Sequence, residues 1–365
     1  TSLSYRRVTL LAGFVLLLGG AELLVRGSSR LAALLGISPL VVGLTVVAFG
    51  TSSPELAVSV GAAWMGQPDL AVGNVVGSNI LNVLLILGLS AAIIPLAVAQ
   101  QLIRMDVPLM IGASVLFYIV SLDREIGRAE GALFLALGLS YVWLCLRMSK
   151  RENKAMKVEY AKEFAEQAVG NAKADYILQC AIAALGLALL YLGAEWLVEG
   201  SVALARAWGI SELVIGLTIV SAGTSMPEVA TSAMAALRGE RDIAVGNVIG
   251  SNLFNILFVI GATGAVAPHG VPVSVQALEA DIPIMLAVAF SCLPVFFIRG
   301  CISRWEGGLF LGYYGAYLTY LLLNATGHSA LPVFKGAMLL FVMPLTGLTL
   351  AVLAWQTYRR NQRPL

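Results

Sequence analysis

Charge is scarce in this 365-residue chain: Asp, Glu, Lys and Arg together make up 12% of it, about half the roughly 25% of an ordinary soluble domain. A surface facing water on all sides is therefore excluded. The formal net charge of +2 gives no sign of the dense basic patch by which proteins hold nucleic acid. Histidine is nearly absent, and His269 and His328 lie far apart, which removes a histidine metal centre. The four cysteines, Cys145, Cys180, Cys292 and Cys301, lie in or beside apolar stretches without metal-ligand spacing. They read as small packing residues rather than as a disulfide framework or a soft-metal site.

What the chain has instead is apolar length, with 59% hydrophobic residues. A helix needs about 20 apolar residues to cross the hydrocarbon layer. Such runs occur near 8–25, 40–64, 70–98, 106–122 and 129–146, then, after a polar stretch at 147–175, near 176–198, 213–237, 243–267, 280–298 and 306–324, with an eleventh near 336–357. The first run follows Arg6 and Arg7 as a signal peptide would, but it is long and lacks a small-residue cleavage site, so it reads as a first transmembrane helix. Placing the N-terminus outside puts most Lys and Arg on the inner side, including those of the central stretch and Arg359, Arg360 and Arg363. The expectation is an all-α polytopic protein of the bacterial inner (plasma) membrane, with a cytoplasmic central loop and C-terminus.

The chain repeats itself. Ile37–Gly88 aligns with Ile210–Gly261 without a gap at an offset of 173, with 30 of 52 positions identical. Each copy belongs to a group of five spans, and an odd number of spans turns the second copy upside down. Inverted repeats are a transporter signature, with the substrate site at the repeat interface near the bilayer midplane. The expected organisation is a ten-helix inverted 5+5 repeat plus an eleventh C-terminal transmembrane helix. The first repeat spans 1–146 with its motif at 43–88, and a cytoplasmic linker spans 147–175. The second repeat spans 176–325 with its motif at 216–261, and the extra helix and basic tail span 326–365.

Duplication kept for packing alone would preserve small residues, but it does not explain Glu55 and Glu228 in apolar helices, where a charge costs about 2.5 kcal/mol or more. Each glutamate follows a proline, in Gly50-Thr51-Ser52-Ser53-Pro54-Glu55 and Gly223-Thr224-Ser225-Met226-Pro227-Glu228. Pro54 and Pro227 cannot donate to the carbonyls of Gly50 and Gly223, so each helix breaks and frees backbone oxygens. Thr51 lies four residues and Ser52 three before Glu55, and Thr224 and Ser225 stand likewise before Glu228, so hydroxyls and carboxylate are expected to converge.

A second motif places Ser78 and Asn82 four apart, as Ser251 and Asn255 are, with Gly73/Gly77 and Gly246/Gly250 admitting a neighbouring helix closely. Carboxylates, amide carbonyls, hydroxyls and freed carbonyls are all hard oxygen ligands, suited to Ca²⁺ or Na⁺. Bland roles compete with this reading. The hydroxyls of membrane helices often bond back to their own backbone, and Asn82 and Asn255 can serve as interhelical glue. Asn74, Asn79, Asn247 and Asn252 read as glue or helix-end satisfiers. Glu22 and Glu195, near span ends, read as partners of nearby basic residues rather than ligands.

On the G-T-S-x-P-E segments at 50–55 and 223–228 and the G-S-N-x-x-N segments at 77–82 and 250–255, the chain resembles the cation/calcium exchanger superfamily, specifically bacterial sodium/calcium exchanger-like proteins. The resemblance runs from about residue 8 to 325. It implies a diamond of oxygen ligands between the second, third, seventh and eighth helices, made by Thr51, Ser52, Glu55, Ser78 and Asn82 with Thr224, Ser225, Glu228, Ser251 and Asn255. Backbone carbonyls at Ala48 and Ser221 complete the implied set. It also implies that Ca²⁺ and Na⁺ compete at the glutamates, and that long first and sixth helices slide across the core. Two departures stand out: several relatives carry aspartate where Asn255 stands, and the eleventh span is absent from the ten-helix plan.

The function expected is secondary antiport of Ca²⁺ against Na⁺, with these ions and the bilayer as partners and no cofactor. The alternative is Ca²⁺/H⁺ antiport on the same scaffold, since a mid-membrane glutamate also carries protons. A channel lacks support from an inverted repeat within one chain. An intramembrane aspartyl protease lacks acids at the right depth, because Asp69 and Asp242 fall at span ends; the chain does not read as an enzyme.

Overall fold

The computed structural model describes residues 3–165, 172–210, 212–215, 218–219, 221–268, 270–297 and 300–361. The chain begins with α1, Leu3–Leu35, followed by α2 (Pro39–Thr51) and α3 (Ser53–Trp64). Three more helices complete the first half: α4 (Pro68–Ile93), α5 (Leu102–Asp123) and α6 (Arg128–Ala165). The second half opens with α7, Ala172–Ala207, and the short turns α8 (Glu212–Ile215) and α9 (Ser221–Gly223). It continues through α10 (Met226–Leu237), α11 (Arg241–Val266), α12 (Ala277–Phe297) and α13 (Arg304–Ala325), and ends in α14, whose span is Leu331–Leu353. Among the described residues, eight helices are long and apolar enough to cross a membrane, nine with the bent pair α2 and α3.

Two of the eleven expected segments fall outside that set. One, 213–237, is interrupted by residues outside the described ones. The other, α13, has 22 residues and is rich in Gly and Tyr rather than uniformly apolar. The linker expected at 147–175 is shorter than thought: α6 continues to Ala165 and α7 starts at Ala172, with 166–171 outside the described residues. His269 and Arg363 also lie outside them. Lys- and Glu-rich sequence extends a helix readily once an apolar span has nucleated it, which composition alone read as loop.

The first helix was expected to end near residue 25 but runs ten residues further, since no proline or glycine cap precedes Gly36, which takes a positive φ of 60°. At 33 residues it is about 50 Å long, so it crosses a layer of about 30 Å only when tilted. It packs along α7 through glycines spaced by seven: Gly13 and Gly20 against Gly186 and Gly193. A Cβ on Gly193 would stand 2.5 Å from the Leu17 nitrogen, and one on Gly20 2.6 Å from that of Leu190. Backbones this close hold two helices together where lipid provides no hydrophobic drive.

Helices α4 and α11 lie innermost, and nearly the whole of α11 is buried. Gly250 permits this, since a Cβ there would fall 2.5 Å from the Leu44 carbonyl of α2. At Gly73 and Gly77, expected to admit a neighbour in the same way, nothing among the described residues comes within 4 Å of an added Cβ. At the two ends, short strands cross between halves: β1 (Leu96–Ala97) pairs antiparallel with β4 (Cys301–Ile302), and β2 (Glu125–Ile126) with β3 (Val271–Pro272). The last span, α14, is peripheral, with Leu340 83% exposed, and is attached to α13 by the Tyr313 hydroxyl donating to Thr346 Oγ1 at 2.7 Å.

Gly193→Ala is expected to destabilise the protein by about 1–3 kcal/mol through overpacking. Gly312→Ala, where nothing lies within 4 Å of the added carbon, should leave stability unchanged; thermal unfolding in detergent checks both.

Candidate functional site between the broken helices

The break expected at each proline is present. Helices α2 and α3 meet at 45°, and the hinge residue Ser52 leaves the helical region at φ −88°, ψ 8°. Ser225 repeats it at φ −88°, ψ 6°. Glu55 and Glu228, each in the first turn after its break, are 0% and 1% exposed.

The hydroxyls do not converge on the glutamate of their own segment, as the four-residue spacing suggested, because the hinge breaks that register. They cross to the other half. Ser52 donates to Glu228 Oε1 at 2.7 Å, and Ser225 donates to Glu55 Oε1 at 2.9 Å. Ser225 also lies 3.0 Å from the Ser78 hydroxyl, itself 3.5 Å from Glu55 Oε1. Thr51 stands 3.1 Å from Asn247 Oδ1, and Thr224 3.2 Å from Asn74 Oδ1. Asn82 donates to Asn252 Oδ1 at 2.9 Å, and Asn255 to Asn79 Oδ1 at 3.0 Å. Every one of these contacts except that between Ser78 and Glu55 joins the first half of the chain to the second.

These contacts bring Glu55, Ser78 and Ser225 together, pair Ser52 with Glu228, and tie Asn82 and Asn255 to amides of the opposite half. The backbone oxygens are less available than expected. Ser53 donates to the Gly50 carbonyl at 2.7 Å, occupying the acceptor that Pro54 released. Position 226 is Met, so Gly223 has no such hydroxyl beside it. The Ala48 carbonyl already accepts the Ser52 N–H at 3.0 Å and lies 3.4 Å from the Thr51 hydroxyl. Ser221 begins the turn α9, and its side chain lies outside the described residues.

Asn74, Asn79, Asn247 and Asn252, read from sequence as glue, contact Thr224, Asn255, Thr51 and Asn82 across the two halves. A further buried acid, Asp106 on α5, accepts the Tyr141 hydroxyl at 3.0 Å. In sequence it sits beside Arg104 at a span end and looks solvated. Outside the centre, Glu22 pairs with Arg26 and with Arg238 at the end of α10, as the reading of Glu22 as a charge partner anticipated.

The chemistry lies in what is left over. Glu55 Oε2, Glu228 Oε2, Asn82 Oδ1, Asn255 Oδ1 and Ser251 Oγ are buried without a hydrogen-bond partner. Leaving one such group unpaired costs about 1–3 kcal/mol, more if it is charged. Five oxygens able to accept, from two carboxylates, two amides and a hydroxyl, form an environment for a hard cation.

The sodium/calcium exchanger protein family matches residues 7–147 and 178–323, and the chain belongs to it. The sodium/calcium exchanger MaX1 of Methanosarcina acetivorans is 34% identical over 342 residues, 86% of this chain and 97% of the relative. CaxA of Alkalimonas amylolytica is 40% identical over 323 residues, 87% and 98%. The solved structure of the sodium-calcium exchanger NCX_Mj, soaked with Na⁺ and Ca²⁺, superposes with a TM-score of 0.72 at 30% identity, covering 85% of this chain and 96% of that one. The protein is therefore an integral membrane cation/Ca²⁺ exchanger by family, and a transporter rather than an enzyme.

If the unpaired oxygens bind Ca²⁺, the ion stabilises the folded protein by about 2.7 kcal/mol at a hundredfold excess over Kd. A rise in melting temperature on adding Ca²⁺ is expected for the parent protein and should vanish in Glu55→Gln and Glu228→Gln, measured by thermal unfolding in detergent.

Proposed function

We propose that the protein exchanges Ca²⁺ for Na⁺ by alternating access at this site, with Glu55 and Glu228 as its only carboxylates. Thr51, Ser52, Ser78, Asn82, Thr224, Ser225, Ser251 and Asn255 complete the ligands, with the Ala48 and Ser221 carbonyls as backbone donors. The observation that carries this reading is the crossed pair Ser52–Glu228 and Ser225–Glu55, which leaves one free oxygen on each buried carboxylate. Two carboxylates balance one Ca²⁺, and monovalent cations can balance the same charge in turn. Emptied, two neighbouring carboxylates in a low dielectric need a replacement cation, Na⁺ or a proton, before the site crosses. The carrier is thereby bound to exchange one cation for another.

The two halves act as an inverted 5+5 repeat, joined through the end of α6 and the start of α7, with 326–365 as a peripheral addition. The glycine-clasped pair α1 and α7 is the element that shifts across the core. The membrane is the bacterial plasma membrane, with the N-terminus outside and the central loop and C-terminus in the cytoplasm. MaX1 and NCX_Mj, both sodium/calcium exchangers by name, support Na⁺ as the coupling ion.

The test is uptake of radioactive Ca²⁺ into proteoliposomes loaded with Na⁺. Replacing internal Na⁺ with choline should abolish uptake; flux unchanged by that replacement but driven by a proton gradient would assign H⁺ instead. Glu55→Gln and Glu228→Gln are each expected to lower exchange by about a hundredfold or more, the weight of about 3 kcal/mol for losing one partner of a buried charge interaction. Full exchange in the double variant would refute the site.

A further inference from the structure

Asn82 and Asn255 help to bind a cation only if their amides present oxygen to it, and an amide rotated by 180° presents N–H instead. What fixes the rotation is the partner of each NH₂ group. Asn82 donates to Asn252 Oδ1 at 2.9 Å, which commits the Asn252 amide to turn its own NH₂ away, and that group meets the Met110 sulfur at 3.5 Å. The second half mirrors this arrangement. Asn255 donates to Asn79 Oδ1 at 3.0 Å, and the Asn79 NH₂ meets the Met285 sulfur at 3.6 Å and the Asn252 carbonyl at 3.5 Å.

A thioether and a backbone carbonyl accept hydrogen bonds and cannot donate them. Were Asn252 to flip, its Oδ1 would face the Met110 sulfur with no proton between them, and its NH₂ would face the NH₂ of Asn82. Neither contact is tolerable in this buried setting, where Met110 is 0% and Met285 2% exposed. Relief would need Asn82 to flip as well, with its N–H aimed at the cation. The acceptor-only ends thus set the direction of each chain, and the free ends, Asn82 Oδ1 and Asn255 Oδ1, are the atoms left without a partner.

We infer that Asn252 with Met110, and Asn79 with Met285, are positioning residues that hold Asn82 and Asn255 as obligate oxygen donors to the transported cation. Helices α5 and α12, which carry no ligand, reach the site through these methionines. The inference rests on the reading of Asn82 and Asn255 as ligands, and the closing experiment separates the two.

Ca²⁺ KM is measured in proteoliposomes for Asn82→Ala, Asn252→Leu, Met110→Leu, and each of the latter two combined with Asn82→Ala. Asn252→Leu is expected to raise the KM about tenfold, the lower range for losing a group that orients a metal ligand, with the maximal rate little changed. Met110→Leu, nearly isosteric, should raise it by a smaller factor. Neither should weaken binding further once Asn82 is Ala, because no amide remains to be oriented. Losses that add in the double variants would mean that Asn252 and Met110 act through packing, and would overturn the inference. If Asn252→Leu does not fold, the Met110 pair decides alone. An effect of Asn82→Ala with no change in KM for Asn252→Leu or Met110→Leu overturns the inference and leaves the ligand reading standing. No effect of Asn82→Ala removes both.

Discussion

Two carboxylates buried in one membrane-embedded space, each satisfied at one oxygen by a serine from the other half of the chain, impose the arrangement of everything around them. A buried acid needs donors, and the N–H groups in the interior of a helix are already used, while those of its first turn are free. The proline hinges at Ser52 and Ser225 solve this by ending one helix and beginning another. Each hinge serine then serves the opposite glutamate. Neither half can complete its own site. The central fold is a consequence of that exchange, with α4 and α11 drawn inward to bring Ser78, Asn82, Ser251 and Asn255 beside the hinges.

Small residues also line the close helix contacts. Gly250 lets α11 sit against the Leu44 backbone, close to the hinge at Ser52. Along α1 and α7, glycines every seven residues bring two backbones into contact over several turns. The symmetry is not complete at the rim. Glu22 ties α1 to Arg238, whereas the residue equivalent to Arg238 in the first half is Met65, and the equivalent of Glu22 is Glu195. Under the proposed alternating access both faces of the membrane would meet the same central groups, a demand that does not reach the rim.

Much of this was legible before any coordinates. Membrane class, the duplicated segments, the two glutamates and the proline breaks follow from residue type and spacing, because burial of charge and loss of an N–H are local facts. The destination of the hydroxyls was not legible. Spacing of three and four residues pointed Ser52 and Thr51 at Glu55, a rule that holds only within an unbroken helix, and the hinge that the same sequence encodes cancels it. Asn79 and Asn252 were opaque for a related reason, since an amide's role is fixed by which of its two ends faces which neighbour, and those neighbours, Met110 and Met285, stand on other helices. Asp106 stands near Arg104 in sequence, yet its partner is Tyr141 on α6. The reach of α1 and α6 beyond their apolar runs was missed because polarity marks where lipid ends, not where a helix ends.

On the proposed reading, the balance of charged and neutral ligands follows from the task of releasing what is bound. A cage of many carboxylates holds a divalent ion tightly, and conduction or exchange needs binding weak enough to reverse. Two carboxylates neutralise the charge of one Ca²⁺, and the remaining oxygens contribute dipoles without adding charge. Amides are suited to that part, because their oxygen does not titrate and keeps its role at any physiological pH. The weakness of an amide as a ligand is its rotational ambiguity. On the proposed reading the ambiguity is removed from outside the site, by sulfur and carbonyl groups that can only accept, so the amide oxygens are as firmly directed as the carboxylates.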